Sequence, residues 1–378
     1  SDPIGGRWGR DRAGRLNGRA YEAAVVIVLR RVMAPDLTVN SEAQNLQRAA
    51  AVYARWGVTT VHHMGDELPL SSIRAALVRA TLPIKWTVYG WGLPEATIGE
   101  AWHEVDSDRG TWPPRTRLSG LKWILDGSPF ERGAFLLADY SDRPGWRGRS
   151  NYTEAQLREI LAGALTSRHQ LTVHAVGDGE IDMVLHLMAE LAPAGRWRAV
   201  RVRIEHGEGL FGDGLARAAE LGVVVDQQPI HLAAVTSEHG SSLPVARWGN
   251  RAVRFALLRS LLAAGVPLAL SSDANGAEAA ANPFLNLMIA VSYPRRPAEA
   301  LTREQALTAY TTGGAYAERE EAQKGRIMRG MAADLAVLSQ DVLIVPLGAL
   351  PATTSLLTVV DGTVAYDSGR FAIRDRLR

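Results

Sequence analysis

The sequence of 378 residues contains no cysteine. That excludes a disulfide framework and a thiolate metal site, so any bound metal must take nitrogen and oxygen ligands. Excess charge of one sign is also missing. The 42 Lys and Arg face 40 Asp and Glu, too small a difference for a nucleic-acid footprint. No apolar run reaches the ~20 residues of a membrane span; the run AAVVIVL at 23–29 is followed at once by Arg30 and Arg31. The chain opens at Ser1 with neither an initiator Met nor a charged-then-apolar signal peptide. The expectation is a soluble, cytoplasmic protein without a nucleic-acid or membrane partner, with a leader ahead of Ser1 left open. No internal repeat or low-complexity tract breaks the chain. What is present is 47% hydrophobic residues, enough for an α/β barrel of roughly 250 residues with a small accessory unit.

Periodicity places the elements. Residues 1–20, rich in Gly, Arg and Asp, read as a surface loop, and Ser41 reads as the N-cap of a helix ending near Gly57. Short apolar runs then predict strands at 58–63, 84–92, 118–125, 171–176, 200–206, 222–229 and 266–272. Helical spacing lies between them at 71–80, 153–168, 179–191, 213–221 and 252–264. This βαβ rhythm predicts a TIM-like (β/α) barrel of parallel strands. Seven candidates are one short of a closed barrel of eight, so the first strand is expected before residue 1, with a gap between strands 58–63 and 266–272. Unpaired edges of that kind favour self-association into a homo-oligomer. After a helix at 302–318, short strands at 333–339 and 354–372, the latter turning at Asp361-Gly362, predict a C-terminal β-unit. The organisation is therefore a barrel at 1–318 and a β-unit at 319–378.

Four residues sit at the ends of predicted strands: Lys122, His174, His206 and Asp273. Chemistry in barrels gathers at the C-terminal strand ends, and imidazole with carboxylate suits Zn²⁺ or a similar divalent ion. A lysine ammonium cannot ligate a cation, but its carbamate can, so Lys122 counts only if carboxylated. A lone histidine at a strand end is more often a hydrogen-bonded rim residue; several equivalent positions shift that balance. Asp273 reads either as a helix N-cap or as a ligand that accepts a proton from the attacking water. His231, in QQPIH, is a candidate for holding a substrate carbonyl or oxyanion, with a satisfied surface histidine as the equal alternative. His62 and His63 are adjacent, so at most one faces the site. His103, His169, His186 and His239 are expected to be solvated. Trp91 and Trp248 fall where a pocket wall would stand.

The phrases DPIGG (2–6), GVTTVHHM (57–64), LKWILDGS (121–128), DYSDRPG (139–145), HAVGDGEID (174–182), RIEHGEGL (203–210), QQPIH (227–231), SSDAN (271–275), AYTTGGAYAERE (309–320) and GMAADLAVLSQD (330–341) resemble, in this order, the amidohydrolase superfamily. Within it they are similar to amidohydrolase family 3, the YtcJ-like and N-substituted formamide deformylase-like hydrolases. The resemblance implies a distorted TIM barrel with a β-sandwich built from both chain ends. It also implies zinc-dependent hydrolysis of carbon–nitrogen bonds in small amide-like substrates. It assigns Lys122 as a carboxylated bridging lysine, His174 and His206 as ligands of the second of two metals, and Asp273 as ligand and proton shuttle. The family's first strand carries an H-x-H pair, which does not occur here, so the chain reads as a member lacking its N-terminal part. Two alternatives stand beside this reading: a truncated member without catalysis, and a mononuclear deaminase or esterase using His174, His206 and Asp273.

Overall fold

The computed structural model describes residues 1–33, 38–65, 68–233, 243–274, 281–293 and 296–371. The chain begins with an antiparallel hairpin, β1 (Gly6–Arg10) and β2 (Leu16–Glu22), in which Trp8 lies opposite Ala20. The surface loop expected over residues 1–20 is thus a correction. The Asp11 carboxylate accepts the N–H groups of Ala13 and Arg15 at 2.9 and 3.0 Å, and this side-chain turn folds a Gly-rich stretch back on itself. The run AAVVIVL belongs to a helix, Ala23–Met33.

The next helix, Val39–Arg55, is capped by Thr38 and not by Ser41. Thr38 Oγ1 accepts the Ser41 N–H at 3.0 Å, and Ser41 Oγ accepts the Thr38 N–H at 2.9 Å. Ser41 is therefore the third residue of a capping box, and the helix starts earlier than a single-residue cap predicted.

Seven parallel strands follow: β3 (Thr60–His63), β4 (Lys85–Trp91), β5 (Thr116–Ile124), β6 (Gln170–Ala175), β7 (Arg203–His206), β8 (Val224–Gln227) and β9 (Leu268–Leu270). They form one sheet in sequence order, as the βαβ rhythm predicts. Amphipathic helices such as Leu70–Arg79, Glu154–Thr166 and Asp178–Leu191 bury Leu77, Leu161 and Leu185 against it. β3 and β9 share no ladder among the described residues, so the barrel is open along one side. Successive strands pack closely where a side chain is missing: a Cβ on Gly120 would lie 2.2 Å from the Gln170 carbonyl oxygen.

Beyond β7 two expectations change. The helix expected at 252–264 is a 3-10 turn, Gly249–Arg254, and a short helix, Leu258–Ala263. Between them Ala256 has φ 56° and donates its N–H to the Glu208 carbonyl at 2.6 Å, which breaks the helical ladder. The helix expected at 302–318 is divided by a π turn at Ala309–Gly313. The C-terminal sheet has β10 (Leu335–Leu338), β11 (Ser355–Val360) and β12 (Thr363–Asp367), all antiparallel. Asp361 and Gly362 have φ 49° and 72°, the left-handed pair of a tight hairpin. Thr358 Oγ1 donates to the Ala54 carbonyl at 2.7 Å, and Lys85 Nζ meets Asp334 and Asp361 at 2.8 and 2.7 Å. These contacts fasten the C-terminal sheet to the start of the barrel. No ladder joins it to the β1–β2 hairpin among the described residues. No helix among the described residues is long and apolar enough to cross a membrane.

Candidate metal centre

Strand register sets the height of each side chain. Thr172 lies opposite Lys122, Ile124 opposite His174, and Ala175 opposite His206, so β5, β6 and β7 deliver their polar side chains at graded levels towards the C-terminal rim. Asp273 follows β9 with φ 45°. Lys122, His174, His206, His231 and Asp273 all line one cavity of about 2370 Å³. That exceeds the ~300–1,000 Å³ of an enclosed ligand pocket, because it runs down the open side of the barrel as far as Glu318 and Lys324. The His174 and His206 rings are 4.4 Å apart at 71°, and His206 and His231 are 5.6 Å apart at 26°. His231 Nε2 lies 3.5 Å from Asp273 Oδ2. His231 sits in a helical turn, Pro229–Ala233, directly after β8: Pro229 and the Asn286 side chain, which accepts the Ile230 N–H at 2.8 Å, start the turn.

Burial holds the imidazoles neutral. It drives His174 well below the usual histidine value, with His206 and the Lys122 ammonium adding repulsion. His206 is lowered likewise by burial, then by Lys122 and His231. Both rings therefore keep a lone pair at neutral pH. Lys122 is 8% exposed and forms no ion pair among the described residues.

The donor atoms fit a divalent cation. His174 Nε2 and Glu208 Oε2 are out of contact with solvent and have no hydrogen-bond partner, and a buried polar atom without a partner is costly unless something satisfies it. Glu208 lies beside His206 and His231, one ligand atom from each falling within 4.8 Å of the others. Burial pushes its carboxyl up to about 8. Sequence reasoning passed over Glu208; the signal was a carboxylate two residues after His206 in a stretch otherwise apolar or Gly.

Two further residues hold the site and were also missed. Gln228 donates through Nε2 to the Asp226 carbonyl at 2.9 Å and bonds Ser271 Oγ at 2.9 Å. A carbonyl can only accept, so the amide orientation is settled and Oε1 faces His206 Nδ1 at 2.7 Å. His206 must then carry its proton on Nδ1, leaving Nε2 as the free donor. Asp126, fully buried, accepts the N–H groups of Val176, Gly177 and Phe135 at 3.0, 2.8 and 2.9 Å and ties the loop after β5 to the turn after His174.

The other histidines divide differently. His62 and His63 point to opposite sides of β3: His62 meets Glu318 at 3.2 Å and Arg203 at 2.7 Å, and His63 packs edge-on to Trp86. Arg203 also pairs with Glu205 and Asp226, so His62 belongs to a buried charge cluster below the rim. His103 and His186 are exposed. His169, expected to be solvated, is 8% exposed, because it packs where the chain enters β6. His239 lies outside the described residues. Trp91 and Trp248 do line the cavity, Trp248 stacking on Phe255 at 3.9 Å.

The model of the amidohydrolase family matches residues 1–366. The chain belongs to the amidohydrolase family. It is 28% identical to Protein LONG AFTER FAR-RED 3 of Arabidopsis thaliana over 89% of this chain and 59% of that protein. It is 26% identical to the YtcJ protein of Bacillus subtilis over 97% of this chain and 69% of that one. To the N-substituted formamide deformylase of Arthrobacter pascens it is 27% identical over 58% of this chain and 41% of that enzyme. This amidohydrolase-family chain therefore spans less than two thirds of the length of two of these relatives. A metal-dependent hydrolase structure from Pyrococcus horikoshii superposes with a TM-score of 0.72 at 23% identity, over 90% of this chain and 67% of that one, which establishes the shared fold.

Proposed function

We propose that this amidohydrolase-family protein is a metal-dependent hydrolase of carbon–nitrogen bonds in small, non-peptide, amide-like substrates, with Zn²⁺ as the ion. Lys122 as its carbamate, His174, His206 and Asp273 would hold it. The observation that carries this reading is the gathering of two neutral imidazoles, a lysine and a carboxylate at one rim of the cavity. The formamide deformylase relative points to the amide class. When bound, the ion supplies Lewis acidity, polarising a carbonyl and making water acidic enough to attack near neutral pH.

The chain's own groups do the rest. Asp273 takes the proton of the attacking water and returns it to the leaving nitrogen, as a general base and then a general acid. His231, 3.5 Å from Asp273, donates to the developing oxyanion. Trp91, Phe130 and Trp248 form apolar wall where the substrate's carbon skeleton would lie.

Zinc content by elemental analysis and hydrolysis of an N-formyl amine test the proposal. Asp273→Asn should keep the fold while lowering turnover roughly 10²-fold to 10⁴-fold. A zinc-loaded protein whose turnover is unchanged by that substitution refutes the assigned role.

A further inference from the structure

We propose that Phe130 and Val253, with the stacked rings of Trp248 and Phe255, form a subsite for an apolar substituent of several carbons on the substrate, and that Arg247 is the residue that positions it. The inference rests on the proposed function for the amide itself and adds the class of group attached to it.

All four apolar residues line the cavity that also holds Lys122, His174, His206 and Asp273. Phe130 is 54% and Val253 62% exposed, whereas Trp248 and Phe255 are buried and stack at 3.9 Å and 7°. A single exposed apolar side chain is ordinary on a protein surface. Two of them lining one cavity with a buried aromatic pair make an apolar surface that nothing in the chain covers. It stands close to the ion-binding rim. His174 Nε2 is 3.8 Å from Asp126 Oδ1, and Phe130 follows Asp126 by four residues, which reach at most ~14 Å.

The backbone fixes these side chains in the open. The Ser128 N–H and Oγ donate to the Glu131 carboxylate at 2.6 and 2.5 Å, and the Gly133 N–H donates to the Ser128 carbonyl at 2.9 Å, so Phe130 rides a tight turn. Arg247 spends its fork on that turn. Its Nε donates to the Pro129 carbonyl at 3.0 Å, one Nη to the Phe130 carbonyl at 3.1 Å, and the other Nη pairs with Asp142. A planar guanidinium holds two consecutive carbonyls at once, which a single ammonium does not. Trp248 is the next residue in the chain, so the clamp on Phe130 is continuous with the aromatic stack. Arg296 holds Val253 in the same manner, donating to its carbonyl at 2.9 Å. Apolar side chains on a backbone tied down in this way are already ordered for a ligand, and little is lost in ordering them when it binds.

The test uses the full chain with Zn²⁺ and 2-alkanones of rising chain length, which offer a carbonyl but no carbon–nitrogen bond to hydrolyse. Tryptophan fluorescence reads their affinity, N-alkylformamides of the same lengths read turnover, and circular dichroism checks each variant's fold. In the parent each of the first few added methylenes should tighten binding about 4-fold. Phe130→Ala should reduce that step to less than about 2-fold, while Phe130→Leu, still apolar, should restore much of it. Arg247→Lys keeps a charge for Asp142 but loses the hold on two carbonyls, and should also lower the step. A parent step below about 2-fold, or a step equal to the parent's in Phe130→Ala or in Arg247→Lys, overturns the inference even where short formamides are hydrolysed and the proposed function stands. A parental step that both variants lose, with no formamide hydrolysed, upholds the subsite and refutes the hydrolase. A Phe130→Ala variant altered only in oligomeric state by gel filtration also overturns the inference and assigns the ring to contact with a second copy of the chain.

Discussion

Replacing Asp126 with alanine should unfold the site from behind without touching a donor atom. Asp126 has no solvent exposure, and its two oxygens accept three backbone N–H groups, from Phe135, Val176 and Gly177. Alanine leaves three buried donors bare, at ~1–3 kcal/mol each. Because the three share one acceptor group, the losses do not add fully, and the expected cost is about 3–5 kcal/mol against a total stability of about 5–15 kcal/mol. At roughly 2 °C per kcal/mol for a chain of this size, Tm should fall by about 6–10 °C. Asn at the same position keeps an acceptor for Gly177 and Phe135 but turns its NH₂ towards the Val176 N–H, so about 1–3 kcal/mol is expected. Urea denaturation gives the free energies, and amide hydrogen exchange locates the damage at residues 135, 176 and 177. An alanine variant within about 0.5 kcal/mol of the parent, the range of an inconsequential surface change, refutes this account of how His174 is positioned.

Gln228→Leu should release the His206 tautomer, visible in its ring ¹⁵N shifts, and weaken Zn²⁺ by ~10-fold to 100-fold; an unchanged tautomer contradicts the role given to Gln228. Arg203→Met strands Glu205 and Asp226, which it meets inside the barrel, and should cost about 3–5 kcal/mol in denaturation; a neutral or stabilising result refutes the dependence of these acids on Arg203. Burial, reinforced by Glu131, raises Glu22 to about 7. The folded state therefore keeps a proton that the unfolded state releases, and this contribution is full below ~4.3 and lost as pH rises through about 7. Glu22→Gln, which does not titrate, should gain in Tm relative to the parent between pH 5 and pH 8, and a constant difference across that range counts against the shift.

Much of the barrel was legible. Most of the seven strands lie in short runs of apolar and β-branched residues between helical stretches, and the parallel order follows from connections long enough to hold a helix. Lys122, His174, His206 and Asp273 stood out because polar residues end otherwise apolar runs. Less legible was structure made by reciprocal side-chain bonding. The Thr38–Ser41 capping box and the Asp11 turn in the β1–β2 hairpin depend on which of several short polar residues wins the backbone N–H groups, and composition does not rank them. The break at Ala256 arises from a hydrogen bond to the distant Glu208, so helical spacing over 252–264 could not reveal it.

The sequence by itself determined the strand order, the family and the strand-end residues offered to the cavity, because side-chain periodicity and strand length act within a few residues of chain. Only the tertiary structure decided that Glu208 and His231 stand beside His206, that Gln228 fixes the proton on that ring, that Asp126 braces the turn after His174, and that His62 is taken up by Glu318 and Arg203. Most of those relations join residues far apart in the chain. Their energies depend on burial and on distances of a few ångströms, and both come into being only when the sheet curls and removes water from between the strand ends.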